Sequence, residues 1–200
     1  MTKLELHYPL GATPLDPDEM ADLIPKYLTT RGELNELEHK NIQRAVLWVR
    51  GRRAFEVTDP GFVYELHKQM FSQVWKWAGR ARRSGKNIGV DWHQIATHTA
   101  QLLADTRYWI DQKTYPVDEI AARFHHGLVK IHVFPNGNGR HARLIADLLL
   151  EWRGHERFSW GEKTVRAPLE AESERRRDYI NALQAADKND YGPLLDFVRS

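Results

Sequence analysis

Apolar residues recur along the chain at helical spacing in most of its segments. From about Leu34 to Val49, the positions Leu34, Leu37, Ile42, Ala45 and Val46 fall near one face of a helix, together with Asn41. Thr58-Asp59-Pro60 opens a second such segment, with Phe62, Leu66, Met70 and Phe71 as its buried face and a break expected near Ala78-Gly79. A longer helix is predicted from about His93 to Lys113, carrying Ile95, Leu102, Leu103, Tyr108 and Trp109. Pro116-Val117-Asp118-Glu119 starts the next, which runs to about Ile131, and another begins near Asn138 with Ala142, Ile145, Leu148 and Leu149. Two last helices are predicted from about Glu172 to Ala186 and from about Tyr191 to Val198. Two stretches break this pattern. Residues 1–16 are rich in Pro and Gly and read as an irregular arm, with a short helix after Asp16-Pro17, where proline suits a first turn. Residues 79–92 carry Gly79, Gly85 and Gly89 with only Ile88 and Val90 as branched apolar residues, which suits a loop or a short hairpin.

The expected architecture is therefore all-α in the main, a single helical domain over residues 30–198 preceded by an arm and short helix over 1–29. The 200 residues are enough for one domain with a real core. A hydrophobic fraction of 42% and a charged fraction of 28% belong to a folded chain. The absence of cysteine excludes disulfides and thiolate metal sites. The first residues lack the apolar run of a signal peptide, and no stretch approaches the roughly 18 apolar residues of a membrane span, so a cytoplasmic location without a membrane partner is expected. With 29 basic against 27 acidic residues, no sustained basic stripe marks a nucleic-acid face; the run from Arg80 to Lys86 is short and reads equally well as a solvated loop.

Chemistry concentrates in residues 132–143. A histidine, His132, closes one apolar helix; a Gly137-Asn138-Gly139 turn follows; Arg140 and Arg143 then share a face in the first turn of the next helix. Gly137 and Gly139 can take positive φ and leave backbone N–H groups open, and such groups at a helix N-terminus bind anions. Two arginines there oppose the helix dipole, a local conflict that an anion would resolve. Their forked guanidinium donors suit phosphate oxygens. A neutral imidazole five residues before Gly137 could accept a proton from an attacking hydroxyl. Taken singly, each part is ordinary: the glycines a turn, the histidine a helix-end packing residue, the arginines surface ion pairs. Together they are the parts of a phosphoryl-type transfer site.

This segment resembles the signature of the Fic family, His-x-Phe-x-Asp/Glu-Gly-Asn-Gly-Arg-x-x-Arg, with His132, Phe134, Gly137, Asn138, Gly139, Arg140 and Arg143 all matching. Trp77-Ala78-Gly79, His125-His126, Ile131 and the run from Tyr179 to Asp187 extend the likeness over about residues 30–198, and the chain as a whole resembles the subgroup called mobile mystery protein B. The resemblance implies a compact helical domain with a small β-hairpin flap, in which Ile88 and Gly89 would sit. It implies a protein adenylyltransferase that moves AMP from ATP to a hydroxyl of a target protein, with Mg²⁺. His132 would be the base and Phe134 the anchor of the loop. Gly137, Asn138 and Gly139 would form an anion nest, and Arg140 and Arg143 would hold the distal phosphates.

Two departures from the signature stand out. Asn136 occupies the place of the acidic Mg²⁺ ligand, and an amide brings no charge to an ion that prefers carboxylates and phosphates. Val133 replaces the common proline. A further family feature, an inhibitory helix with the pattern Ser/Thr-x-x-x-Glu-Gly/Asn, is matched by Thr29 and Glu33 but not at Leu34; the implied role of Glu33 is to pair with Arg143 and block ATP. The same residues read as a capping box from Thr30 to Glu33. Transfer of another phosphate-containing group, or a non-catalytic nucleotide- or partner-binding module, stand as alternatives. An antitoxin-like protein or a second copy of the chain are the candidate regulatory partners.

Overall fold

The computed structural model describes residues 13–163, 169 and 173–200; residues 1–12 of the expected arm lie outside them. Eight α-helices follow in chain order among the described residues: α1 (Pro17–Ala21), α2 (Arg31–Arg50), α3 (Pro60–Phe71), α4 (Ile95–Gln112), α5 (Val117–Ile131), α6 (Asn138–Trp152), α7 (Glu174–Asp187) and α8 (Gly192–Arg199), with a single 3-10 turn at Trp92–Gln94 before α4. The all-α expectation holds, and among the described residues no helix is long and apolar enough to cross a membrane.

Local chemistry sets most of the helix ends. The Thr30 hydroxyl accepts the Glu33 N–H at the start of α2, and Asp59 accepts the Gly61 N–H at the start of α3, where Pro60 occupies the first helical position. Asp118 and Glu119 in the first turn of α5 complement the helix dipole. In α6, Ala142, Ile145, Ala146 and Leu149 recur at helical spacing and have no exposed surface. They meet α5, whose Ala121, Ala122, Phe124 and His125 are equally buried; α5 also packs on α4 and α8, while α2 packs on α3. The helix pair α5–α6 is thus the centre of the core, and the loop between them is held on a rigid base.

Two expectations are corrected. The helix α3 stops at Phe71, well before Ala78-Gly79, because residues 74–76 make backbone bonds with the segment after α1: Ile24 N–H donates to the Val74 carbonyl at 2.9 Å and Lys76 N–H to the Asp22 carbonyl at 3.0 Å. Residues 79–91 form no hairpin. Their backbone groups bond across to the α5–α6 loop instead of to each other, Arg82 N–H to the Val133 carbonyl at 2.9 Å and Val90 N–H to the Ile131 carbonyl at 3.3 Å. The flap is an extended loop laid along the motif.

Candidate active site

The helix α5 ends in an unusual way. His132, its C-terminal cap, has φ 56° and ψ 63°, the left-handed conformation that a side chain with a Cβ rarely adopts. Strain of this kind persists only where the surroundings over-determine it. Phe134, two residues on, is fully buried and stacks on the His67 ring at 3.6 Å between centroids. Asn138 then closes the loop on itself: its Oδ1 accepts the Phe134 N–H at 2.9 Å and its Nδ2 donates to the Phe134 carbonyl at 2.7 Å. Gly137 lies at φ 78° with the Phe71 ring only 2.6 Å from where a Cβ would stand, so only glycine fits.

His67, which the sequence reading did not single out, lies among the buried residues of α3 and braces this loop from below. Its Nδ1 accepts the Gly79 N–H at 3.0 Å, so its Nε2 carries the proton and donates to the Asn136 carbonyl at 3.1 Å. Burial holds its pKa well below the ordinary value, with the neighbouring His141 next in effect, so the ring stays neutral in this role.

Above the loop lies a cavity of about 660 Å³. Its walls include His132, Asn136, Gly137, Asn138, Gly139, Arg140 and Arg143 from the motif, and Ile88, Gly89 and Val90 from the flap. From α7 come Tyr179 and Leu183 among others. The fold therefore brings together the predicted base, turn, arginines and flap residues, while Phe134 lies beneath them in the core. Both ring nitrogens of His132 are buried without a hydrogen-bond partner. Burial first, then the charges of Arg82 and Lys86, push the His132 pKa down to about 4; the nearby Val129 carbonyl, outside hydrogen-bond geometry, acts weakly the other way. At neutral pH the imidazole is a neutral base facing a cavity.

Not every motif group is open to a ligand. The Gly137 N–H donates to Asn136 Oδ1 at 2.7 Å, and the Asn138 side chain is committed to Phe134. What Asn138 offers an anion is its backbone, not its amide. Arg140 donates to Glu38 Oε2 at 2.6 Å, while Glu38 Oε1 accepts the Trp75 indole N–H at 2.6 Å. Glu38 is buried in α2, and sequence reading missed it because its partner lies 102 positions away. A polar residue at position 38, on the helix face that also carries Leu34, Asn41 and Ala45, was its only local trace.

Glu33 is placed elsewhere. Its carboxylate accepts the Thr29 N–H at 2.9 Å and the Thr30 N–H at 3.0 Å, faces solvent, and does not line the cavity, although Arg31 and Asn35 of the same helix do. Those two backbone donors are the main reason its pKa is lowered. The geometry assigns it to the helix cap rather than to a charge pair with Arg143. Thr30→Ala is expected to cost about 1 kcal/mol, and Glu33→Gly should lower the melting midpoint in the same direction without raising nucleotide transfer. A several-fold gain in transfer confined to Glu33→Gly would restore the inhibitory role.

The residues present do not fit a protein-held Mg²⁺. Among the described residues no cluster of three carboxylate, histidine or cysteine side chains could hold a metal ion. At Asn136, the one position the motif offers, the amide oxygen already accepts the Gly137 N–H and the amide nitrogen donates to the Thr13 carbonyl at 3.2 Å.

Comparison with known proteins agrees with this geometry. Residues 57–150 match the Fic/DOC family. Over 124 residues the chain is 31% identical to protein adenylyltransferase fic-1 of Caenorhabditis briggsae, covering 60% of this chain and 22% of that protein. Over 141 residues it is 28% identical to protein adenylyltransferase Fic of Aedes aegypti, covering 68% of this chain and 26% of that protein. The chain thus spans about a quarter of the length of the curated relatives it matches. Among solved structures, the BepC protein of Bartonella tribocorum with bound AMPPNP superposes with a TM-score of 0.68 at 17% identity, covering 92% of this chain and 97% of that one. Fic-1 of Caenorhabditis elegans superposes at 0.63 with 22% identity, over 90% of this chain and 51% of the other. These likenesses show a shared fold.

Proposed function

We propose, from the match of residues 57–150 to the Fic/DOC family, that the chain is a protein adenylyltransferase. The observation that carries this reading is His132: a buried, neutral imidazole with both nitrogens unpartnered, on the wall of a cavity that also holds the helix N-terminus and two arginines. In the proposed step, a target hydroxyl gives its proton to an His132 ring nitrogen as its oxygen attacks the α-phosphorus of ATP. The bond from that phosphorus to the bridging oxygen breaks, pyrophosphate leaves, and AMP remains on the target. Arg140, Arg143 and the Gly139 N–H at the start of α6 are assigned to the departing phosphates, whose negative charge they would offset. The named relatives fic-1 and Fic, both protein adenylyltransferases, and the AMPPNP bound to the Bartonella protein support the choice of ATP. Within the family we infer the mobile mystery protein B subgroup from the resemblance of the chain as a whole.

The reading is tested by incubating the protein with ATP labelled at the α- or at the γ-phosphate in a cell lysate and following label into protein. AMP transfer requires the α label to be incorporated and the γ label to be released. Incorporation of the γ label instead would establish phosphate transfer. Tight ATP binding with neither label incorporated would favour the non-catalytic module, a reading to which the missing carboxylate at Asn136 lends weight.

That missing carboxylate gives its own prediction. Asn136→Asp keeps an oxygen for the Gly137 N–H, loses the bond to Thr13 and adds the charge that Mg²⁺ prefers. The expected outcome is a severalfold lower Mg²⁺ concentration at half-saturation of nucleotide binding, read by calorimetry with an ATP analogue. An unchanged Mg²⁺ dependence would show that this side chain does not reach the ion.

A further inference from the structure

Arg82 is 2% exposed, and none of its hydrogen-bond partners is a carboxylate. Buried arginines are ordinarily ion-paired, because an uncompensated charge in the interior is costly. The neighbouring Lys86 follows that rule, with its ammonium set between Asp16 and Glu19. Arg82 instead spreads its guanidinium over four main-chain carbonyls, with the Asp91 and Glu19 carboxylates acting on it only through space. Nε donates to His132 at 2.6 Å, Nη1 to Ser84 at 2.8 Å, and Nη2 to Val90 at 2.5 Å and to Ile131 at 3.4 Å.

These carbonyls belong to two separate segments. Ile131 and His132 are the strained end of α5, whereas Ser84 and Val90 flank the flap tip. The Arg82 N–H adds a fifth tie, to the Val133 carbonyl. The fit is tight: a Cβ at Gly89 would stand 2.7 Å from Arg82 Nη2 and 2.7 Å from His132 Cβ. Apolar side chains could hold a loop against a core without burying a charge. What the planar five-donor fork adds is a fixed geometry for His132 and the flap together.

We propose that Arg82 is a positioning residue for the transfer step, locking the left-handed turn at His132 and the flap beside it into one unit. The inference rests on the reading of His132 as the base. A lysine at this place keeps the charge but cannot reach four carbonyls at once. In Arg82→Lys, the amides of residue 82 and Val90 should exchange with solvent about tenfold faster while those of α5 and α6 stay protected. The turnover of AMP transfer at saturating ATP should fall about 100-fold, the usual cost of an ångström-scale displacement of a reacting group. Binding of AMPPNP, measured by calorimetry, should be unchanged. A purely structural brace would lower the melting midpoint and leave turnover per folded molecule as it was.

Should Arg82→Lys fail to fold, Gly89→Ala carries the test: at φ 103° its methyl group would stand 2.7 Å from both Arg82 Nη2 and His132 Cβ, so the contact between flap and turn must shift at unchanged charge, and the same loss of turnover is expected. A folded Arg82→Lys or Gly89→Ala protein with wild-type turnover, or an Arg82→Lys protein with wild-type protection at Val90, overturns the inference. If His132→Ala transfers as well as the wild type, the base reading has failed separately, and the exchange result alone decides whether Arg82 locks the two segments.

Discussion

In the His132→Ala protein, incorporation of α label from ATP is expected to fall by about 10²–10⁴-fold, the usual cost of losing a general base. Nucleotide affinity should persist, because the groups assigned to the phosphates belong to α6 and remain in place. The fold should persist as well. The imidazole makes no hydrogen bond that alanine would break. The pH profile gives an independent check. Burial, Arg82 and Lys86 lower the His132 pKa from 6.5 to about 4, so the base is already unprotonated through the whole neutral range. The acid limb of the kcat/KM profile, which reports the free protein, should therefore fall near pH 4, with no titration at 6.5. An acid limb at the ordinary histidine value would place His132 in water rather than in this wall, and undiminished transfer by His132→Ala would remove it from the reaction.

The largest loss of stability is expected for Phe134→Ala. The side chain has no exposed surface and is enclosed by aromatic rings: stacked on His67 at 3.6 Å, edge-on to His141 at 5.2 Å and edge-on to Tyr64 at 5.6 Å. Emptying such a site removes the transfer free energy of the ring and leaves a void that rigid neighbours cannot fill, a cost of about 3–5 kcal/mol. For a chain of this length that corresponds to a drop of roughly 10 °C in the melting midpoint. Phe134→Leu, which keeps most of the volume, should cost about half as much or less. Chemical denaturation of both variants measures the difference. A Phe134→Ala protein within about 1 kcal/mol of wild type would mean that the loop is held by the Asn138 clamp alone and that the ring adds little.

Both predictions concern residues two apart in the chain, yet they became legible at different stages. The segment from His132 to Arg143 could be read as a site because its parts are sequence neighbours: a helix end, a glycine turn and the first turn of the next helix are local structures, and their chemistry converges at short range. The same locality explains why α4, α5 and α6 lie where apolar spacing, Asp118-Glu119 and the glycine turn predict, and why Thr30 and Asp59 start α2 and α3. Capping bonds span only a few residues, and an amphipathic face needs no knowledge of its partner.

Tertiary structure decided what depends on partners far away in the chain. The end of α3 could not be placed from its own sequence, since residues 74–76 leave the helix to bond with residues 22–24. The glycine-rich flap suited a loop or a hairpin alike, and its backbone groups found acceptors on Ile131 at the end of α5 and on Val133 just beyond it, about 40 and 50 positions away. Glu33 and Glu38 are both glutamates on one helix. Only the packing of α2 on α3, and of α3 on α6, determines that Glu38 reaches a motif arginine while Glu33 stays at the cap. The neutral state of His132 is likewise a property of its surroundings: a histidine is a usable base by composition, but burial and the charges of Arg82 and Lys86, brought in from another segment, set its protonation.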